Sequence, residues 1–496
     1  LKMLNEQADI VIVGAGNAAL CAAISAAEHG AKVTVLEISS EEEKGGNTTY
    51  THGSIRFAFK DGEEVRQLLP DMTDEEFAMT DFGSYPSEQF FDDVCTMSNF
   101  RTDYDLTSIM TDKSFETMQW LLDHNIKFIP IYGRQAYKID GKFKFWGNMV
   151  IEAVGGGKGL VDALHNEANR LGITIHYNTA AVDLVTEQRK VKGIIVRHAG
   201  EERQIDCQAI VLASGGFHAN VEMRTKYLGP GWDTVHTRGC KFNVGDGLRM
   251  AMQLGARTTG NWSGAHAVGG DRYLPDYKEG FQKLSYPFGI LVNNDGKRFI
   301  DEGSDFRNYT YAKLGREILK QPGQCAWQIF DAKTKSFLRE EYEGRHVSKV
   351  SAPTLEQLAE KMDGINKNRF LQEVHAFNAA VNRDAVFNPN ILDCKATIGL
   401  DVPKSNWANP IEEGPFEAYA IGCGITFTYG GLKISKKAEV IHNDFTIIDG
   451  LYAAGEIVGG LYYDNYPGGA GLTSGAVFGR IAGEQAAKYS RRKITI

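Results

Sequence analysis

The sequence is short of paired cysteines, proline, long apolar runs and positive charge. Its seven cysteines (Cys21, Cys95, Cys207, Cys240, Cys325, Cys394 and Cys423) are scattered, and none stands at C-x-x-C spacing. That excludes a zinc ribbon, a c-type haem attachment and the usual ferredoxin clusters. Scattered thiols in odd number fit a reducing compartment. No stretch approaches roughly 18 continuous apolar residues, so no transmembrane segment is expected. The N-terminal residues show no signal-peptide pattern, and a cytoplasmic location is expected. Lys and Arg number 54 against 63 Asp and Glu, a formal charge of −9, which argues against a nucleic-acid partner. An anionic substrate then requires a local basic site. Proline is scarce at 13 residues while glycine reaches 54, which points to backbone passing close to a ligand and not to disorder. At 496 residues, two or more domains are expected.

What is present is organised around the stretch Val11-Ile12-Val13-Gly14-Ala15-Gly16-Asn17-Ala18-Ala19. Residues 10–13 read as a buried strand, 18–27 as a helix of small residues stopped at Gly30, and 32–36 as a second strand ending in Glu37. This is the G-x-G-x-x-G/A dinucleotide fingerprint in its required context. Gly14 permits the tight turn, Gly16 lets the backbone approach a pyrophosphate, and Ala19 lets helix and strand pack closely. The helix N-terminus offers N–H groups and positive dipole to the phosphates. Glu37 follows the glycines by about 20 residues, where an acid bonds ribose hydroxyls and repels a 2′-phosphate. The alternative is a structural glycine turn in some other parallel sheet; strand, helix, strand and acid in one register favour the dinucleotide.

Gly45-Gly46-Asn47-Thr48 suits either a loop reaching phosphate or ribityl oxygens or a surface turn. Arg56 reads as an exposed salt-bridge residue, with an anionic substrate as the alternative. Residues 60–145 read as a mainly helical insertion in which Asp112 and His124 are expected at the surface. Lys158 lies in a glycine loop, but the spacing is not that of a P-loop, and nucleoside triphosphate binding is rejected. An amphipathic helix over 160–171 and alternating strands to about residue 205 follow. The buried strand 209–213 runs into Ser214-Gly215-Gly216, and Asp246 opens another helix. From Gly264 to residue 427 the pattern is less regular, with a hairpin at 290–298 and helices near 309–319, 354–362 and 368–383. The glycine-rich pattern returns at Gly455-Glu456 and at Tyr466-Pro467-Gly468-Gly469-Ala470-Gly471, which leads into a helix over 472–488; residues 490–496 read as a short basic tail.

These blocks, in this order, resemble the fumarate reductase and succinate dehydrogenase flavoprotein superfamily over nearly the whole chain. The resemblance implies an α/β fold: a Rossmann-like, glutathione-reductase-type FAD-binding domain formed by residues 1–264 and 428–496, with an inserted α+β capping domain over 265–427. It implies FAD, and the lack of an attachment histidine in register (His52 is near but displaced) makes it non-covalent. The candidate cofactor contacts are Gly14, Gly16, Asn17, Ala18, Ala19, Glu37, Gly45, Gly46, Asn47, Thr48, Val182, Ala213, Ser214, Gly215, Asp246, Gly455, Glu456, Gly471 and Leu472. Arg307 stands where the family keeps its proton-transferring arginine, and His266 where it has a carboxylate-binding histidine. Two other family ligands are replaced: the His-Thr-x-Gly-Gly element reads Thr426-Phe427-Thr428-Tyr429-Gly430-Gly431, and the arginine before the last Gly-Gly is Tyr466. Both changes argue against fumarate or succinate itself. The same blocks look most like the tricarballylate dehydrogenase branch, while Tyr466-Pro467-Gly468 is also similar to 3-ketosteroid dehydrogenases.

The expected reaction exchanges hydride between FAD and one carbon of a C–C bond, while a residue trades a proton at the neighbouring carbon. Arg307 is assigned to proton transfer, and His266, Thr428 and Tyr466 to substrate polarisation. Arg238 and Lys241 are weaker candidates for anion attraction, expected to face solvent. A small anionic substrate and a separate electron-transfer partner are expected. A non-catalytic flavin carrier is the alternative, predicting no substrate-dependent bleaching. No second dinucleotide fingerprint supports a nicotinamide site.

Overall fold

A computed structural model describes residues 7–277, 282–343 and 348–492. Two sheets carry the architecture. The larger runs, in spatial order, Glu201–Asp206, Lys190–His198, Ile447–Ala453, Ala209–Leu212, Ile10–Val13, Val33–Leu36, Thr174–His176. Its centre is parallel: Ile10–Val13 lies between Val33–Leu36 and Ala209–Leu212, with Val11 opposite Thr34 on one side and Ile210 on the other. These short strands are buried along their whole length. That is the burial expected of strands covered on both faces.

One face is covered by Asn17–Glu28 and the long C-terminal helix Ala470–Arg492. The fit depends on small residues. Gly475, Gly479 and Gly483 recur every four positions and so share one helix face. A Cβ on Gly479 would lie 2.4 Å from the Ala18 carbonyl oxygen, and one on Gly483 would lie 2.1 Å from that of Ala22. Backbone touches backbone, which draws the N-terminal ends of both helices to the same crevice.

The second sheet is built on the strand Phe416–Thr428, which pairs antiparallel with Ala265–Asp271, Cys325–Phe330 and Lys349–Ala352 and parallel with His236–Thr237. Ile290–Asn293 joins the outer edge of Cys325–Phe330. The helices Tyr311–Leu319 and Lys367–Ala380 accompany this sheet. The expected hairpin after Val292 is present, with Val292 bridged to Arg298. The stretch 60–145 is largely helical but also contains the hairpin Ala136–Ile139 with Lys142–Phe145. The last helix continues through Arg492, and the rest of the expected basic tail lies outside the described residues.

Two surface expectations are corrected. His124 is only 7 % exposed, because its ring bridges Glu167 (Nδ1 to Oε1, 2.6 Å) and Glu28 (Nε2 to Oε1, 2.7 Å). Arg56 is 0 % exposed: it donates to the carbonyls of Gly468 (2.7 Å) and Gly147 (2.8 Å) and to the Tyr309 hydroxyl (3.2 Å), with its cation over the Tyr85 and Tyr309 rings. Asp112 is exposed, as expected. Among the described residues, no helix is long and apolar enough to cross a membrane.

Candidate functional site

A long cavity begins at the C-terminal ends of the parallel strands and runs to the second sheet. At its first end, Ile10–Val13 turns at Gly14, whose φ of 104° belongs to the left-handed region that glycine favours. A Cβ there would sit 2.5 Å from the Ala213 carbonyl oxygen, so the glycine keeps two strand ends in contact. Gly16 caps Asn17–Glu28 with no side-chain bond, which leaves first-turn N–H groups for a ligand. Gly45, also left-handed at φ 99°, opens the second loop, and Thr48 Oγ1 accepts from the Asn17 N–H at 3.0 Å. The two glycine loops therefore form one floor.

Of the expected cofactor contacts, Gly14, Gly16, Asn17, Ala18, Glu37, Gly45, Gly46, Asn47, Thr48, Ala213, Ser214, Gly215, Asp246, Gly455, Glu456, Gly471 and Leu472 line this cavity. Two do not. Ala19 is packed in the core, where its small size serves helix-to-strand contact. Val182 is not part of the lining and its carbonyl accepts from Arg249 at 2.7 Å, while its neighbours Thr179 and Ala181 line the cavity. Glu37 ends Val33–Leu36, accepts from the Ser39 N–H at 2.8 Å, and has its carboxyl pushed up by burial. The Glu456 carboxylate is held by the Thr428 N–H (3.0 Å) and by the amides of Asn47 and Asn243 (3.2 Å each).

This end fits FAD on its own geometry. A glycine-floored crevice meets two helix N-termini, and Ser214 Oγ is buried there with no partner among the described residues. Such a hydroxyl is costly unless a ligand satisfies it.

The four expected substrate residues all line the same cavity. His266 is buried in a cage of rings: Phe427 stacks on it at 4.9 Å between centroids, with Tyr311 at 5.0 Å and Tyr466 at 5.1 Å edge-on. Burial, then the neighbouring Arg238 charge, drives the imidazole down to about 3, so the ring is neutral at pH 7 and offers one N–H. Tyr466 oxygen accepts from the N–H groups of Gly469 (3.0 Å) and Gly471 (3.1 Å), and the Tyr311 hydroxyl is also hydrogen-bonded to it. Thr428 lies beside Glu456, and its hydroxyl accepts from the Phe217 N–H at 3.4 Å. Arg307 starts the short turn Arg307–Tyr309, lies over the Trp146 ring and donates to the carbonyl of Arg134. Burial, then the Arg339 charge, pushes its guanidinium down to about 9.

The cavity also holds His52, Arg134, Arg238 and Arg339. Arg238 corrects the expectation of a solvent-facing residue: it is buried and donates to the Tyr50 carbonyl at 2.6 Å. Lys241 is exposed and pairs with Glu43 at 2.5 Å. Arg134 and Arg339 carry no motif, and only the folded chain brings them here.

The family model described as "FAD binding domain" matches residues 9–472. The chain belongs to this family. It is an FAD-dependent oxidoreductase of the fumarate reductase and succinate dehydrogenase flavoprotein superfamily. It is 29 % identical to the fumarate reductase (cytochrome) of Shewanella frigidimarina, over 98 % of this chain and 78 % of that one. It is 30 % identical to the 3-oxosteroid 1-dehydrogenase of Mycolicibacterium smegmatis, over 66 % of this chain and 62 % of that one. The open conformation of a flavocytochrome c3 fumarate reductase superposes with a TM-score of 0.73 at 26 % identity, covering 98 % of this chain and 78 % of that one.

Proposed function

We propose that the protein oxidises or reduces a CH–CH bond beside a carboxylate, with a tricarballylate-like polycarboxylate as the favoured substrate. The observation that carries this reading is Arg307. It is a buried guanidinium on the cavity wall that donates to a main-chain carbonyl, with no carboxylate within salt-bridge range among the described residues. A buried charge without a counter-ion is costly, and an anionic substrate supplies one.

Bound FAD supplies hydride transfer. Arg307 moves the proton at the neighbouring carbon, so the double bond forms or closes with one hydride and one proton accounted for. Neutral His266 donates its N–H to a substrate carboxylate. Tyr466, fixed by two backbone N–H groups, donates its O–H to the carbonyl oxygen on which charge builds. The aromatic cage keeps water from these donors, which strengthens them. Electrons pass to or from a separate partner. The test is anaerobic addition of tricarballylate, succinate and citrate to the purified yellow protein. Loss of visible flavin absorbance identifies the substrate class. If none acts, the chemically reduced protein is offered the matching alkenes, and silence in both directions overturns the reading.

A second reading has its own observation. The wall of Phe427, Tyr429, Tyr462 and Tyr466 is aromatic, and a tyrosine beside glycine N–H groups can polarise a ketone. A 3-ketosteroid or other enone would then bleach the flavin while the carboxylates do not.

A further inference from the structure

Positive charge gathers at one place in the cavity. Arg134, Arg238, Arg307 and Arg339 all line it, and all four charges bear on His52. Two of them are matched: Arg134 pairs with Glu152, and Arg339 Nε lies 2.8 Å from Glu341 Oε1. Two are not. Arg238 and Arg307 reach only the main-chain carbonyls of Tyr50 and Arg134, with no carboxylate within salt-bridge range among the described residues. The two other acids on the wall, Glu37 and Glu456, are engaged by Ser39 and by Asn47, Asn243 and Thr428. His52 Nε2 lies 3.1 Å from Arg339 Nη2 and also meets Gln282. Burial and the four guanidiniums hold its ring neutral.

We propose that Arg134, Arg238 and Arg339, arranged around His52, form a second carboxylate subsite, distinct from the His266–Tyr466 end and taking a carboxylate remote from the reacting carbons. The proposal rests on the polycarboxylate reading and extends it to the whole ligand. Arg238 within this subsite and Arg307 outside it each carry a charge with no carboxylate in salt-bridge range among the described residues, so each offers one positive charge to a substrate carboxylate. Their planar forks match carboxylates in paired hydrogen bonds, which a compact cation does not. Arg238 lines the cavity together with both His52 and His266, and its charge acts on both rings. A substrate with three carboxylates fills this subsite and the His266–Tyr466 end.

The test uses the holoprotein and three unsaturated probes: acrylate, fumarate and trans-aconitate, with one, two and three carboxylates. Each is titrated anaerobically against the oxidised flavin spectrum to give Kd. The wild type is expected to bind trans-aconitate at least about tenfold more tightly than acrylate. The paired variants R339Q/E341Q and R134Q/E152Q remove a cation with its counter-ion, and retained FAD absorbance certifies their fold. They are expected to weaken trans-aconitate binding about 10- to 100-fold while acrylate changes less than about threefold. Unchanged trans-aconitate affinity in both variants, or a wild type that does not distinguish the probes, overturns the subsite while carboxylate turnover still stands. Failure of every carboxylate to bind or bleach overturns the subsite together with the reading beneath it.

Discussion

The Tyr466 hydroxyl accepts the N–H of Gly471 at 3.1 Å, across the first turn of the C-terminal helix. A second bond from Gly469 fixes the phenol oxygen from the other side. The Tyr311 hydroxyl is a further hydrogen-bonding neighbour of the same oxygen, so the phenol is held from three sides. Tyr466→Phe should keep the flavin and lower kcat by about 100-fold or more, the usual loss when one preorganised donor is removed. Steady-state rates at matched FAD content check this.

In the proposed role, Arg307 should set a pH limb. Burial and the Arg339 charge bring its guanidinium down to about 9. Alkene reduction uses the protonated form, so that rate should fall as pH rises through about 9. Dehydrogenation uses the deprotonated form and should climb toward the same value. Arg339→Gln removes a neighbouring like charge and should move the limb upward. Rate against pH in both directions tests this, with Arg307→Gln expected to abolish the limb and about 1,000-fold of the activity.

The small-residue seam can be probed from the side remote from the chemistry. Gly483→Ala places a methyl group where the Ala22 carbonyl oxygen is 2.1 Å away. Separating the helices should cost about 1–3 kcal/mol. The melting temperature should drop by roughly 2–4 °C per kcal/mol. FAD release on dilution should quicken, because both helix N-termini at the cofactor crevice shift together.

Acid should act through Glu167. Its carboxyl is held down to about 2, first by the Arg170 hydrogen bonds and then by those of His124 and Asn125, against the opposing effect of burial. A group lowered on folding stabilises the fold above its free value of 4.5, and that contribution disappears as pH falls toward about 2. Glu167→Gln should destabilise by about 1–3 kcal/mol at pH 7. The difference from wild type should shrink between pH 4.5 and about 2. Denaturant midpoints at neutral and acid pH measure it.

Local pattern carried much of the fold. The unit from Ile10 to Glu37 was legible because its turn, helix and strands each follow from adjacent residues. The second glycine loop was legible for the same reason, and so was the strand leading to Gly455-Glu456, although that strand ends at Ala453 and leaves these two residues on a short 3-10 turn. Arg56 was not, since it is buried by the Gly468 carbonyl, 412 residues away, and by Tyr309. Polar side chains in irregular sequence give no sign that backbone carbonyls will close over them. Arg134 and Arg339 stayed hidden because no motif marks them and only the folded chain brings them to the cavity. His124 looked like one polar residue on a polar helix, yet Glu28 and Glu167 reach it from two other helices. Val182 against Ala181 shows the limit of strand reading, because the pairing with Lys190–His198 slips between Ala181 and Asp183 and the extra residue breaks the alternation.

The cofactor crevice draws its lining from four separate parts of the chain, near residues 14–48, 179–181, 213–247 and 455–475. During synthesis, then, no intermediate length of nascent polypeptide owns a complete flavin cradle. The parallel strands wait for Ile447–Ala453, and the Gly479–Ala18 contact waits for the helix that follows. Flavin capture is therefore a late event in the biogenesis of this protein, and a ribosome stalled before that helix emerges holds a chain that remains colourless.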